Sequence, residues 1–310
     1  TGIASIIISW LQILSALTVT YKMAWPSSFV TYSQASGSVV NMEILSLLAI
    51  GNCALAVPFL NKFLLQLLTP PIFVAAVILA YFCVSGFRCL AKGAQIDQTN
   101  GARLDKTVNL AVIIMQLLYP KLATRTFQML RCQDLGPSVG MLLESDYSVT
   151  CHEGLHDQFV SLAVLSILGY LIGVPLATFV VLWRNRERLH MKDVESRFGD
   201  LYRPYEDKWA FWEVVLMLQK CMLTGAMCAI APGSPLQLFI AMGICAMYLL
   251  LLTFARPYKG LLEDQLAFMT SLVLTVSLCL GFALNTDAVD PEERVFSIDL
   301  CGWVLIILNI

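Results

Sequence analysis

"TGIASIIISWLQILSALTVTY", Thr1–Tyr21, decides how the rest of the chain is read. A bilayer-spanning helix needs roughly 20 mostly apolar residues, and this run has that length. It lacks the basic start and the small-residue cleavage site of a secretory leader, so it reads as a spanning helix. The composition agrees. The 310 residues are 58% hydrophobic and 14% charged, and the mean hydropathy is +0.73; soluble domains carry about 25% charged residues. These values put the chain in the membrane class, with lipids as its surroundings. The net charge of −2 gives no basic surface, and no basic run points to nucleic acid as a partner. Both ends lie inside apolar runs, the last being "CGWVLIILNI", Cys301–Ile310, so the expectation is a piece of a longer protein.

Working outward, six more runs have spanning length: Pro71–Cys89, Val108–Leu130, Phe159–Trp183, Trp209–Ile230, Leu236–Phe254 and Gln265–Leu284. An eighth begins near Ile298. The expected fold is all-α: one polytopic transmembrane helix bundle over residues 1–310 with about eight spans. In "LLTPPIFVAAV", Thr69 is the expected N-cap of the second span, with prolines in the first turn. Pro120 and Pro175 are expected to kink the third and fourth. The stretch Lys22–Gln66 is apolar but broken by Asn52, Pro58 and Asn61. It reads either as a re-entrant or interfacial segment or as an extra span, and the second choice would reverse the first helix.

Charge sets the direction. Loops 88–106, 184–208 and 256–264 hold thirteen Lys and Arg together, whereas loops 123–157, 231–235 and 285–297 hold three. By the positive-inside rule the first set is cytoplasmic. The outer loop 123–157 contains Cys132 and Cys151, in a compartment where disulfides persist. A bridge there would close a loop of about 20 residues and contribute on the order of 3 kcal/mol. In "CHEGLH", Cys151, His152, Glu153 and His156 are metal-ligand types at ligand spacing. An oxidised Cys151 offers no thiolate, so loop histidines beside a disulfide are expected, with no metal and no cofactor. Lys121 and Arg125 share one face of an amphipathic continuation of the third helix.

The other ionisable residue that asks for an account is Lys220, about eleven residues from each end of its span. A lysine at that depth costs roughly 2.5–3.5 kcal/mol on insertion scales, so it needs a polar neighbour. Glu213 lies on the same face but two turns away, about 10 Å along the axis. Gln219, Gln116 and Asn109 are the other candidates. Lys220 is then either a packing anchor, a group lining an ion or water path, or a lipid-facing lysine.

On the cytoplasmic side, "RNRERLHMKDVESRFG" reads as a solvated helix ended by Gly199. "DLYRPYEDKW" is a turn centred on Pro204. Tyr202, Tyr205, Trp209, Phe211 and Trp212 cluster at the inner interface, as an aromatic belt or as a docked elbow coupling the 184–208 linker to the fifth helix. Outside, Asp287, Asp290, Glu292 and Glu293 make loop 285–297 acidic. Such a loop attracts cations, though an exposed acidic loop is the commoner explanation.

Three stretches carry a resemblance: "LLYPKLATRTFQMLRC…LLESDYSVTC", "FGDLYRPYEDKWAFWEVVLMLQKCMLTG" and "LLLTFARPYKGLLEDQLAFM". They look like the carboxy-terminal multi-pass region of large algal and protist membrane proteins described as similar to transient receptor potential (TRP) or polycystin channels. The resemblance covers roughly residues 105–285. It rests on Tyr119, Pro120, Cys132, Asp146 and Cys151; on Phe198, Gly199, Tyr202, Tyr205, Trp212, Glu213 and Lys220; and on Pro257 and Tyr258. Where relatives have Arg-Lys in the fifth helix, this chain has Gln219–Lys220. The resemblance implies a channel-like protein of the plasma or flagellar membrane, with an upstream extracellular region or other membrane subunits as partners. One departure matters: neither the 231–235 turn nor loop 285–297 is long enough for a pore helix and filter.

The function expected is a TRP-like or polycystin-like channel or channel-like sensor, cation-conducting if it conducts. The alternative is a non-conducting transmembrane anchor or receptor for an upstream extracellular domain, and a weaker third option is a transporter. An enzyme is not expected, because no zinc-helix, P-loop or nucleophile-elbow pattern is present.

Overall fold

The structure is a computed structural model and describes residues 2–40, 58–92, 97–137, 139–230, 232–287 and 297–309. Its helices are α1 (Gly2–Thr20), α2 (Ser27–Val40), α3 (Phe59–Lys92), α4 (Asp97–Met129), α5 (Leu155–Ser166), α6 (Gly173–Asn185), α7 (Lys192–Tyr202), α8 (Trp212–Lys220), α9 (Pro235–Ala255), α10 (Leu261–Asp287) and α11 (Ile298–Leu308). A π-helical turn, Ile167–Ile172, joins α5 to α6 in one continuous rod. Six helical stretches are long and apolar enough to cross a membrane: Gly2–Thr20, Phe59–Val84, Arg103–Met129, Leu155–Asn185, Pro235–Ala255 and Leu261–Thr286. The protein is therefore an integral membrane helix bundle. Of the other two expected spans, the eighth begins where it was expected, as the apolar helix α11 from Ile298, and Trp209–Ile230 is assembled from short pieces described below.

Loop 123–157 departs from the all-α expectation. After α4 the chain forms a three-stranded antiparallel meander, β1 (Cys132–Asp134), β2 (Met141–Leu143) and β3 (Asp146–Thr150), in the order β1-β2-β3. The Cys132–Cys151 disulfide is formed, with a Cα–Cα distance of 6.2 Å. Its small core of Phe59, Phe63, Met129, Leu143, Cys151 and Ala163 joins the meander to α3, α4 and α5.

The prolines show how local rules yield to packing. Thr69 is no N-cap, because α3 runs through Pro70 and Pro71 from a start at Phe59, and Thr69 Oγ1–H donates to Leu65 O at 2.7 Å instead. The cap comes from far away in sequence: Phe59 N–H donates to Asp146 Oδ2 at 3.1 Å. The same carboxylate accepts from the Ser148 hydroxyl at 2.6 Å. The Ser148 hydroxyl and then the Phe59 N–H hold the Asp146 carboxyl below its ordinary value. An Asp with a depressed folded value stabilises above its unfolded value of about 3.9 and loses that contribution as the pH falls. Asp146→Ala is expected to cost about 1 kcal/mol, the worth of a helix cap, in neutral thermal melts. In acid the gap between variant and wild type should close. A gap that persisted at low pH would contradict this capping account.

Pro175 follows the π turn and has no N–H to give Leu171 O. The Tyr119 hydroxyl donates to that carbonyl at 2.9 Å, across from α4. Gly199 does not end the cytoplasmic helix. Residues 186–191 are turns, α7 starts at Lys192 and continues through Gly199 to Tyr202, and the helix stops before Pro204. Arg203 is still helical, with φ −53° and ψ −38°, but Pro204 has no N–H to continue the ladder, so the proline ends the helix where the glycine does not.

Loops grouped by charge also meet in space. Arg197 pairs with Asp105, Glu206 N–H donates to Pro257 O at 2.8 Å, and Lys259 N–H donates to Pro204 O at 2.9 Å. These contacts gather loops 88–106, 184–208 and 256–264 at one end. At the other end Glu144 pairs with both Lys22 and Arg131, and Asn285 Nδ2 donates to Gly233 O at 3.4 Å. Gly233 has φ +71°, and a Cβ there would lie 2.8 Å from Lys22 O, so turn 231–235 needs a glycine to dock on the end of α1. The stretch Lys22–Gln66 begins and returns at this same end, through Lys22–Glu144 and Phe59–Asp146. Its helix α2 folds back along α1, where Ser33 Oγ–H donates to Leu14 O at 3.1 Å. Asn52 and the rest of 41–57 lie outside the described residues.

Candidate functional site: a polar core beside a broken helix

The expected span Trp209–Ile230 contains α8, a π-helical turn at Cys221–Gly225 and a 3-10 turn at Ala226–Ala229. Backbone that leaves the α-helical pattern at membrane depth is tolerated where protein groups cover it or where it lines a water-filled cavity. Here protein groups cover it. Thr224 O accepts from Thr124 Oγ1 at 2.9 Å and from Thr20 Oγ1 at 3.2 Å, and Leu223 O accepts from the Tyr21 hydroxyl at 3.2 Å. Met227 O accepts from Gln237 Nε2 at 2.6 Å, and Gln237 is fully buried. The segment presses against α4 at Gly225, where a Cβ would lie 2.9 Å from the Phe127 ring and 3.0 Å from Ala123 Cβ.

Lys220, on the last turn of α8, is 5% exposed. Its Nζ donates to Gln12 Oε1 at 3.2 Å, and Gln12 Nε2 donates on to Leu117 O at 2.9 Å. The lysine thus ties α8 through α1 to α4. Among the candidates read from sequence, Asn109 is elsewhere: its Nδ2 donates to Asp200 at 2.7 Å. Gln116 is half-buried, and its Nε2 has no partner among the described residues. Gln219 is buried, with its Oε1 unpartnered among them. Gln12 and Gln237 were missed by sequence reasoning, since a lone glutamine in an apolar run looks like any other tolerated polar residue.

Glu213, 4% exposed, faces the loop end of the bundle, where its Oε2 accepts from the Tyr205 hydroxyl at 2.8 Å. Tyr205 and Tyr258 form an antiparallel bridge with ring centroids 5.1 Å apart. Burial first, then the Glu213 carboxylate for Tyr205 and Tyr248 for Tyr258, pushes both phenols well above the ordinary value. Trp212 packs on Tyr248 with centroids 6.0 Å apart. Tyr202 donates its hydroxyl to Leu189 O and packs with Phe198, Leu182 and Leu201. Nearby, Lys208 pairs with Glu206 at 2.9 Å, and His190 Nε2 lies 3.2 Å from Asp207 Oδ2.

At the opposite end, burial lowers the Arg131 guanidinium, and burial together with the Arg131 charge lowers the Lys22 ammonium. Cys132, Cys151 and His156 bring three ligand-type atoms within 4.8 Å. The disulfide occupies both sulfurs, and His152 N–H donates to His156 Nδ1 at 3.2 Å. A neutral His156 then carries its proton on Nε2, the nitrogen facing the sulfurs at 3.7 and 3.9 Å. No lone pair is left there for a metal. Asp290, Glu292 and Glu293 lie outside the described residues, as does the side chain of Asp287.

No protein-family model matches the chain, and no solved structure does. It is similar to cysteine repeat modular protein A of Toxoplasma gondii, 22% identical over 207 residues, which is 62% of this chain and 7% of that protein. The chain thus spans a small part of the length of the relative it matches.

Proposed function

We propose that the chain is a membrane-embedded anchor or receptor base, serving a larger protein whose extracellular part lies elsewhere. The observation that carries this reading is Lys220: its ammonium is held by Gln12, which is itself held by Leu117, inside a packed three-helix junction. That is the packing-anchor role for a membrane lysine. The length of the Toxoplasma relative, of which the match covers 7%, fits a module of a much longer chain. Loop charges orient the Tyr205–Tyr258 end to the cytoplasm and the disulfide-bridged meander outside. The Tyr205–Glu213 bond then makes residues 203–209 an elbow that links the cytoplasmic loops to α8. The plasma membrane, or a flagellar one, suits an outer disulfide.

A cation channel or channel-like sensor of TRP or polycystin type is the second reading, favoured by the broken helix after Lys220, since π turns recur at functional sites. Patch recordings from cells expressing the full chain separate the two. The anchor predicts no current above background, in wild type or in Lys220→Ala. A current altered by Lys220→Ala, or by neutralising Asp287, Asp290, Glu292 and Glu293, would replace the anchor with the channel.

A further inference from the structure

His156 is the second residue of α5 and is 1% exposed. Its ring closes the short loop that follows the disulfide. Nδ1 accepts from His152 N–H at 3.2 Å, and Nε2 lies 3.7 Å from Cys151 Sγ and 3.9 Å from Cys132 Sγ. That loop is costly to hold. His152 has φ +61° and Gly154 φ +57°, and α5 starts without a side-chain cap. A residue with a side chain is uncommon at positive φ.

The closing bond depends on the charge of the ring. A neutral imidazole keeps one nitrogen as an acceptor, whereas an imidazolium donates from both. Protonating Nδ1 sets a donor against the His152 N–H, at a ring with almost no access to water. Two neighbours oppose the added charge. One is the N-terminus of α5, whose dipole disfavours a cation. The other is His152, with the two ring centroids 5.9 Å apart. Asp157 and the Met129 carbonyl, at the end of α4, act the other way. Asp157 is exposed, so solvent screens it. β1 and β3 meet the ring with the two bridged sulfurs, which carry no charge.

We propose that His156 is an acid-released latch: neutral, it holds the Cys151–Leu155 loop against the disulfide, and protonated it lets that loop go. The bond exists only with the neutral ring, and an opened loop lets His156 take up a proton near its ordinary value of about 6.5. The latch is therefore fully present above that value and is lost as the pH falls. The disulfide keeps Cys151 in place, so the change is confined to the loop. Loop charges orient this end outward, so the acidity that it reads is external. An anchor and a channel could both carry such a latch.

The test is hydrogen–deuterium exchange of the full chain in lipid nanodiscs, resolved to single amides and corrected for the intrinsic pH dependence of exchange. From about pH 7.5 to about pH 5.5, protection of the His152 amide should fall about tenfold, the effect of one proton taken up on opening. The Cys151 amide, paired with Met141 O at 2.9 Å, should not follow it. His156→Gln keeps an acceptor that does not titrate, so the pH step should vanish. His152→Asn, a residue that tolerates positive φ, should keep the step and serves if the His156 variant does not fold. No step in the wild type, or a step that survives in His156→Gln, would overturn the proposal. So would loss of the step in His152→Asn, because His152 would then be the sensor.

Discussion

Replacing Glu144 with Ala should destabilise the fold by about 3–5 kcal/mol, the usual cost of stranding a buried charge. Glu144 sits between Lys22 and Arg131, and the arginine is 8% exposed. Without the carboxylate Arg131 has no counter-charge among the described residues and little access to water. Lys22 is different: 47% of its side chain is exposed, so Lys22→Ala should cost no more than about 1 kcal/mol, as for a surface ion pair. Replacing both members of the buried pair, Arg131→Met with Glu144→Met, should recover most of the loss. Thermal unfolding of detergent-solubilised protein reads all three variants against the wild type. Equal losses for Glu144→Ala and Lys22→Ala would show that the buried pair contributes no more than the exposed one.

Gln12→Leu should cost about 1–3 kcal/mol, because it removes the oxygen that accepts from Lys220 and leaves the ammonium buried and unpaired. The Leu117 carbonyl loses its donor in the same step. A second substitution, Lys220→Met, should restore much of this stability, since it removes the stranded charge. The two changes are therefore non-additive, as expected for residues in direct contact. If Gln12→Leu melts at the wild-type temperature, or if the double variant is no better than the single, Gln12 is not the partner of Lys220. The cycle bears on function as well: an anchoring lysine changes stability, whereas a path-lining lysine changes current.

Helix length and apolarity were legible because each spanning run must be covered almost continuously by nonpolar side chains, a local property. The disulfide was legible because two cysteines shared the one long loop assigned to the oxidising side. Lys220 was legible as a problem, since a charge in an apolar run needs an explanation, but its solution was not. Gln12 stands 208 positions away along the chain. Nothing near position 12 marks it as an acceptor, just as nothing near Thr20, Thr124 or Gln237 marks them as covers for the carbonyls of the broken helix.

The prolines and glycines divide the same way. Pro204 ended a helix as its ring requires, while Pro70 and Pro71 were carried inside α3, which starts eleven residues earlier at Phe59, capped by Asp146 of the meander. Sequence by itself determined that this is a multi-pass membrane protein, which loops share a face, and which buried charge needs a partner. Those follow from the free energy of placing each side chain in lipid or water, a sum over single residues. Only the tertiary structure decided which glutamine holds the lysine and which hydroxyls cover the interrupted helix. The side-chain hydrogen bonds at issue run between helices, and the register of helix against helix is fixed by packing that no single run of sequence contains.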